Sequence, residues 1–220
     1  MDDHRRRFLE LALRADALRF GDFVLKSGRS SPYFFNAGRF DTGAALAALA
    51  ACYADALDAS GAQFDLLFGP AYKGIPLATA LACTYAARGR DLPLAFNRKE
   101  AKTHGEGGAL IGAPLAGRRV LIVDDVITAG TAIREALALI TEAGGIPAAI
   151  VIALDREEVV DPDAAVRRSA AQELAARQGI PVIAVATLSD LLAFAGESAE
   201  LVAEHARLAA YRATFGCHGD

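Results

Sequence analysis

The sequence predicts an α/β protein: a doubly wound, mostly parallel sheet flanked by helices, with a small N-terminal cap subdomain. Three observations lead there. Four short runs, Asp65-Leu66-Leu67-Phe68, Val120-Leu121-Ile122-Val123, Ala148-Ala149-Ile150-Val151-Ile152 and Val182-Ile183-Ala184-Val185, are almost wholly apolar rather than alternating. That is the pattern of strands covered on both faces, as in a parallel sheet. Between them lie Ala- and Leu-rich stretches at helical spacing, about 43–59, 75–88, 131–143 and 164–178. Gly61, Gly89, Gly144 and Gly179 stand just past the ends of these stretches, where a helix C-terminus favours glycine. Strand–helix repetition of this kind implies the doubly wound architecture.

Taken from the N-terminal end, residues 4–17 read as a helix. The next stretch, 18–40, breaks the pattern: Phe20, Phe23, Phe34, Phe35 and Phe40 surround Ser27-Gly28-Arg29-Ser30-Ser31-Pro32. This is a turn-rich β segment, expected to form a cap beside the main sheet. The α/β core then runs over about 41–190 and a helical tail over about 191–220. With no internal repeat, low-complexity tract or linker, residues 1–220 read as a single domain.

Composition narrows the function classes. The length is enough to bury a substantial core. Ala fills 49 of the 220 positions, so much of the 53% hydrophobic fraction is helix-forming filler. A net charge of −4 gives no electrostatic footing for a general nucleic-acid binder, so an anionic ligand must meet a local basic cluster. No apolar run approaches the length of a membrane span, and Met1-Asp2-Asp3-His4-Arg5-Arg6-Arg7 is not followed by the apolar region of a signal peptide. Cys52, Cys83 and Cys217 are odd in number and far apart, which suits reduced thiols in a cytoplasmic protein better than a disulfide framework or a zinc site.

The chemistry concentrates at 120–132. A buried strand ends in Asp124 and Asp125, and Val126, Ile127, Thr128, Ala129, Gly130, Thr131 and Ala132 lead into a helix. Free N–H groups and the dipole at a helix start attract a phosphate. Gly130 admits a close backbone approach, and Thr128 and Thr131 add hydroxyls. The two carboxylates can accept bonds from sugar hydroxyls or hold a hydrated Mg2+, and strand ends are where doubly wound sheets bind ligands. The plainer reading is an Asp helix cap with Thr as turn residues. The nucleotide loops GxxxxGK[ST] and GxGxxG are both absent.

Three further segments, and Arg156 beyond them, carry candidate residues. Gly69-Pro70-Ala71-Tyr72-Lys73-Gly74 follows a predicted strand; its glycines and Lys73 suit a pyrophosphate cradle, and equally an ordinary βα turn. In residues 97–108, Arg98, Lys99, Lys102 and His104 share a glycine-rich run, either a solvated mobile loop or a lid that excludes water and brings cations to a leaving group. Lys26 through Asn36, with Ser30-Ser31-Pro32-Tyr33-Phe34-Phe35-Asn36, carries an aromatic pair that is either core or a cover for a ring. Arg156, just beyond the strand ending at Leu154, is either a surface residue or a two-pronged grip for a carboxylate.

The strand–Asp-Asp–loop–helix segment resembles the site by which type I phosphoribosyltransferases hold phosphoribosyl pyrophosphate (PRPP). Residues 126–131 and the three further segments, all four in the order expected for the family, resemble orotate phosphoribosyltransferases over roughly 20–190. The resemblance implies PRPP contacts at Lys26, Tyr72, Lys73, Arg98, Lys99, Lys102, His104 and 124–132. It implies orotate contacts at Phe34, Phe35, Thr128 and Arg156. Lys102, Asp124 and Asp125 are the expected catalytic groups. Mg2+ is expected to be held mainly through PRPP, with Asp124 and Asp125 nearest. Arg98 and Lys102 are expected to reach into the neighbouring subunit of a homodimer. The implied role is Mg-dependent glycosyl transfer in pyrimidine biosynthesis. A PRPP-sensing regulator would need a basic stripe or DNA-binding extension, neither of which is apparent. A purine phosphoribosyltransferase fits Phe34, Phe35 and Arg156 less well.

Overall fold

The structure, a computed structural model, describes residues 3–25, 27–102, 108–128, 130–160 and 166–217, of which 3, 100–102 and 108 through their backbone alone. Strands β3 (Leu66–Gly69), β4 (Leu94–Lys102), β5 (Gly108–Gly112), β6 (Arg119–Val123), β7 (Ile146–Asp155) and β8 (Val182–Thr187) form a sheet in the order β5-β4-β3-β6-β7-β8. All neighbours are parallel except β5, which runs antiparallel to β4. Each uniformly apolar run of the sequence lies in one of these strands. Alternate residues serve opposite faces. Leu67, Leu121, Val123 and Val151 pack against helices α2 (Gly43–Ser60) and α3 (Gly74–Ala87), with α1 (Asp3–Arg14) and α6 (Leu188–Gly196) beyond. Leu66, Phe68, Val120, Ile122 and Ile150 pack against α4 (Thr131–Glu142) and α5 (Ala170–Gln178). The doubly wound expectation is met.

Strands β1 (Leu18–Val24) and β2 (Ser30–Phe35) form a separate antiparallel ribbon, the expected cap. Gly61, Gly89, Gly144 and Gly179 all take positive φ, which ends the preceding helices as their spacing suggested. Among the described residues no helix is long and apolar enough to cross a membrane, and the three cysteines are free thiols.

Three expectations need correction. The helix read over 164–178 starts only at Ala170, because Ser169 caps it in a reciprocal box with Gln172. The weakly structured run at 97–108 is instead partly strand: 97–102 extend β4, and β5 returns beside it with Phe96 opposite Ile111 and Lys102 opposite Gly108. Apolar stretches of three residues, Leu94-Ala95-Phe96 and Ala109-Leu110-Ile111, were too short to register as strands. The third, at Phe35, belongs with the site.

The order of strands locates a crevice. From β3 the chain builds outward through β4 and β5, then returns to lay β6 on the other side of β3. The loops leaving the C-terminal ends of β3 and β6 therefore diverge, and such a switch point is where an open α/β sheet admits a ligand.

Candidate active site

Asp124 and Asp125 follow β6 at this switch point and are 8% and 6% exposed. The chain stays pinned to β7 past the end of the strand: the Asp124 amide donates to Val151 O (3.0 Å), and Asp125 O accepts from the Ala153 amide (2.9 Å). From below, the Tyr53 hydroxyl on α2 donates to Asp124 O (2.8 Å). Tyr53 is buried to 1%, and a buried hydroxyl on an Ala-rich helix needs such a partner. The sequence reading passed over Tyr53; its position inside an apolar helix face was the only available signal.

The loop across the crevice supplies the countercharge. Lys73 Nζ donates to Asp125 Oδ2 at 2.6 Å, so one ion pair bridges the βα loops after β3 and β6. The glycines around Lys73 are required by contact rather than by φ. A Cβ on Gly69 would stand 2.4 Å from Gly74 O, and one on Gly74 would stand 2.6 Å from Val123 O. Asn97 on β4, another residue the sequence reading did not single out, accepts from the Ala71 amide through Oδ1 (2.9 Å) and ties the loop to the hairpin. The Ala71–Tyr72 peptide is cis. Tyr72 is exposed, with Lys99 Nζ 5.1 Å from its ring centroid.

Among the described residues the direct ion pair of Lys73 is with Asp125, and Asp124 feels that charge only at longer range. Burial first, and then the neighbouring Asp125 charge, push its carboxyl up to about 7. Its Oδ1 accepts from the Asp125 amide (2.9 Å). The site thus holds one compensated carboxylate and one that gains from any cation or hydroxyl donor brought by a ligand.

Helix termini mark the same place. Thr42, Ser169 and Thr187 cap α2, α5 and α6 with their side chains. The helices that open at the crevice, α3 and α4, have no side-chain cap; Lys73 and Gly130 stand at their cap positions, Gly130 with φ 68°. The Gly74 and Ile75 amides of α3 already donate to Pro70 O (3.0 Å) and Tyr72 O (3.3 Å), whereas the α4 start, with the positive end of its dipole, offers an anion site. Of the predicted phosphate loop, Thr128, Thr131 and Ala132 are exposed and Gly130 half-buried. Ile127 is buried in the core with α4 and α5, and Val126 packs on the opposite core, so those two offer only their backbone. Thr131 Oγ1 accepts from Arg134 Nη2 (3.2 Å).

Toward the cap, the aromatic pair divides. Phe34 is half-buried and stacks on Phe23, with ring centroids 5.5 Å apart and Arg19 over both rings. Phe35 points to the other side of β2, with its ring between Phe8 and Phe40 in the core. Successive strand residues face opposite ways, so the expectation that both rings cover a ligand is corrected: Phe35 presents only its backbone. The cap meets the main sheet at Arg156, whose Nη2 donates to Ser31 Oγ (3.1 Å) and whose guanidinium lies 4.3 Å from the Tyr33 ring centroid.

Arg98 and Lys99 lie on β4, which also ends at Lys102. Lys26, His104 and Ala129, together with the Lys102 side chain, lie outside the described residues.

Residues 39–181 match the phosphoribosyl transferase domain family. The chain is 75% identical to an orotate phosphoribosyltransferase of Xanthomonas euvesicatoria, with 98% of each chain covered. It is 69% identical, at the same coverage, to an orotate phosphoribosyltransferase of Stenotrophomonas maltophilia. The crystal structure of orotate phosphoribosyltransferase from Francisella tularensis superposes with a TM-score of 0.84 at 40% identity, covering 95% of this chain and 98% of that one.

Proposed function

The chain belongs to the orotate phosphoribosyltransferases, enzymes that transfer a phosphoribosyl group, and from that membership we propose a reaction and a role for each site residue. Orotate N1 attacks the anomeric carbon of PRPP, the bond to pyrophosphate breaks, and orotidine 5′-monophosphate and pyrophosphate leave, a step of pyrimidine biosynthesis. Positive charge builds on the ribose ring and negative charge on the departing oxygens, so the protein's work is to position and to stabilise charge.

The observation that carries this reading is the meeting of two uncapped helix starts with a buried carboxylate pair at one switch point. The α4 start and Thr128, Gly130, Thr131 and Ala132 receive the 5-phosphate. Asp124 and Asp125 accept from the ribose hydroxyls. Lys73, Tyr72, Lys99, Arg98 and Lys102 serve the pyrophosphate, with Lys26 and His104 assigned to PRPP by resemblance. Phe34 covers the base from the cap, Phe35 and Thr128 add polar contacts, and Arg156 grips its carboxylate.

The donor set fits Mg2+. Two adjacent carboxylates offer hard oxygens, and a cation would offset the burial and the Asp125 charge that drive Asp124 toward protonation. Among the described residues no cluster of three or more His, Cys, Asp or Glu stands ready for a metal, so Asp124 and Asp125 would share it with PRPP oxygens. When bound, Mg2+ supplies positive charge beside the departing pyrophosphate.

A homodimer completes the reading, with Arg98 and Lys102 serving the neighbouring site. An apolar trough between α2 and α3, lined by Leu46, Ala47, Ile75, Pro76 and Cys83, supports it, since such a face suits a second subunit.

Pyrophosphate release measured with PRPP and orotate, adenine or hypoxanthine, with and without Mg2+, tests the assignment. Release with orotate and Mg2+ alone is expected. Release with a purine instead, or with orotate at the same rate after chelation, refutes the substrate or the metal assignment respectively.

A further inference from the structure

Arg156 does not meet the crevice as a free side chain. Its Nε (2.7 Å) and Nη2 (2.6 Å) both donate to Glu158 Oε1, so the carboxylate occupies one edge of the guanidinium and sets the plane of the other. The same Oε1 accepts from the Tyr211 hydroxyl (2.7 Å), which belongs to helix α7 (Val202–Phe215). Tyr211 is itself fixed. Its ring meets Tyr33 edge-on at 6.1 Å and Phe215 at 5.1 Å, and the α7 end is tied to the strand end by the Val159 amide donating to Phe215 O (2.8 Å). The flanking carboxylates are anchored too. Asp155 accepts from Ser169 Oγ (2.9 Å), and Glu157 accepts from the amide (2.7 Å) and hydroxyl (2.5 Å) of Ser189 at the start of α6. Arg156 and Glu158 are both about 15% exposed, so this pairing is shielded from solvent and holds its geometry.

We propose that Glu158 and Tyr211 are positioning residues for the base: through them α7 aims the guanidinium of Arg156 at the carboxylate of orotate. This rests on the assignment of Arg156 to that carboxylate. A flexible arginine would have to be ordered on binding, whereas one already held flat loses less freedom when the second partner arrives. The arrangement also gives the C-terminal helix, remote in sequence from every other site segment, a part in choosing a carboxylated base. Charge is arranged for this use: Glu158 takes one edge, and Arg29 Nη1, 3.7 Å from its other oxygen, offsets part of its repulsion toward an incoming anion.

The test is steady-state kinetics on the full-length enzyme for E158A, E158Q, Y211F, R156A and the double variant E158A/R156A. E158A should raise KM for orotate about 10-fold, the scale of one hydrogen bond to a charged group, with KM for PRPP within about twofold. E158Q keeps an oxygen for both partners and should restore most of that loss. Y211F, which keeps the ring packing, should raise KM for orotate about threefold. In the R156A background, E158A should add nothing. If R156A raises KM for orotate but E158A and Y211F leave it unchanged, raise both KM values alike, or add their full effect to R156A, the positioning role is overturned. If R156A itself leaves KM for orotate unchanged, the carboxylate assignment fails and the positioning role with it, a result the R156A arm reads on its own.

Discussion

Asp124→Asn should make the protein more stable and nearly inactive, with a stability gain that grows with pH. Folding lifts the Asp124 carboxyl from its ordinary 3.8 to about 7 because it is buried beside Asp125. A raised carboxyl holds its proton more tightly in the folded chain than in the unfolded one. Its contribution is therefore intact below about pH 4 and is lost as pH rises through about 7. Relative to a neutral isostere, the native carboxyl costs well under ~1 kcal/mol near pH 4 and ~4 kcal/mol near pH 8, at about 1.4 kcal/mol per pH unit. Asn keeps an oxygen for the Asp125 amide, now 2.9 Å away, but forfeits attraction to Lys73, so ~2–4 kcal/mol is the expected gain at pH 8. In a chain of this length each kcal/mol moves Tm by about 2–4 °C, giving about 4–16 °C at pH 8 and about 2 °C or less at pH 4. Thermal melts of both proteins without ligand, taken at half-unit steps between pH 4 and 8, measure the gap directly. A gap that stays flat across the range, or a less stable Asn variant at pH 8, refutes the claim that a costly buried charge is kept here for function.

Other substitutions separate binding from packing. Lys102→Ala should lower kcat by about 10²–10³, the scale of one lost preorganised donor; mixed with Asp125→Asn it should regain roughly a quarter of wild-type activity, because half the dimers are mixed and each holds one intact site. Turnover of Lys102→Ala within threefold of wild type, or no recovery on mixing, contradicts the shared site. Phe34→Ala should raise KM for orotate several-fold with little change in Tm, whereas Phe35→Ala should cost ~3–5 kcal/mol of stability by emptying a core position; denaturant titration beside orotate kinetics distinguishes them. Gly69→Ala forces a Cβ to within 2.4 Å of Gly74 O, so the Lys73 loop must shift and KM for PRPP should rise at least about 10-fold; an unchanged KM would mean that this loop does not hold pyrophosphate.

Legibility in the sequence followed range. Uniformly apolar runs such as Val120-Leu121-Ile122-Val123 announce a two-sided strand, because each residue's burial is written in its own side chain, and the terminal glycines mark where helices stop. The Asp124-Asp125 pair was legible because adjacent carboxylates after such a run have no packing use. The β4–β5 hairpin was not, because its stability comes from pairing across a sheet, as when Phe96 lies opposite Ile111. The Phe34-Phe35 doublet misled for a related reason: two aromatic side chains in sequence look like one surface, yet a strand sends them to opposite sides, and only the position of Phe8 and Phe40 shows which side is core.

The site's clearest mark is a local preference left unused. Three helices here, α2, α5 and α6, begin with Thr or Ser bonding the first turn, as Thr42 does for Ala45 and Thr187 for Asp190. Lys73 and Gly130 stand where such a cap would be, and neither bonds the helix start it precedes. A missing cap costs ~1 kcal/mol of helix stability, and the carboxyl of Asp124, six residues before Gly130, adds its own burial penalty. The α7 start, after Leu201, also lacks a side-chain cap, but the α3 and α4 starts and the charge pair meet at the crevice that the strand order opens, where a phosphate could satisfy N–H groups and sugar hydroxyls the carboxylates. The local cost of this crevice and the affinity proposed for PRPP are then one property: groups left unsatisfied by the protein are the ones a ligand completes.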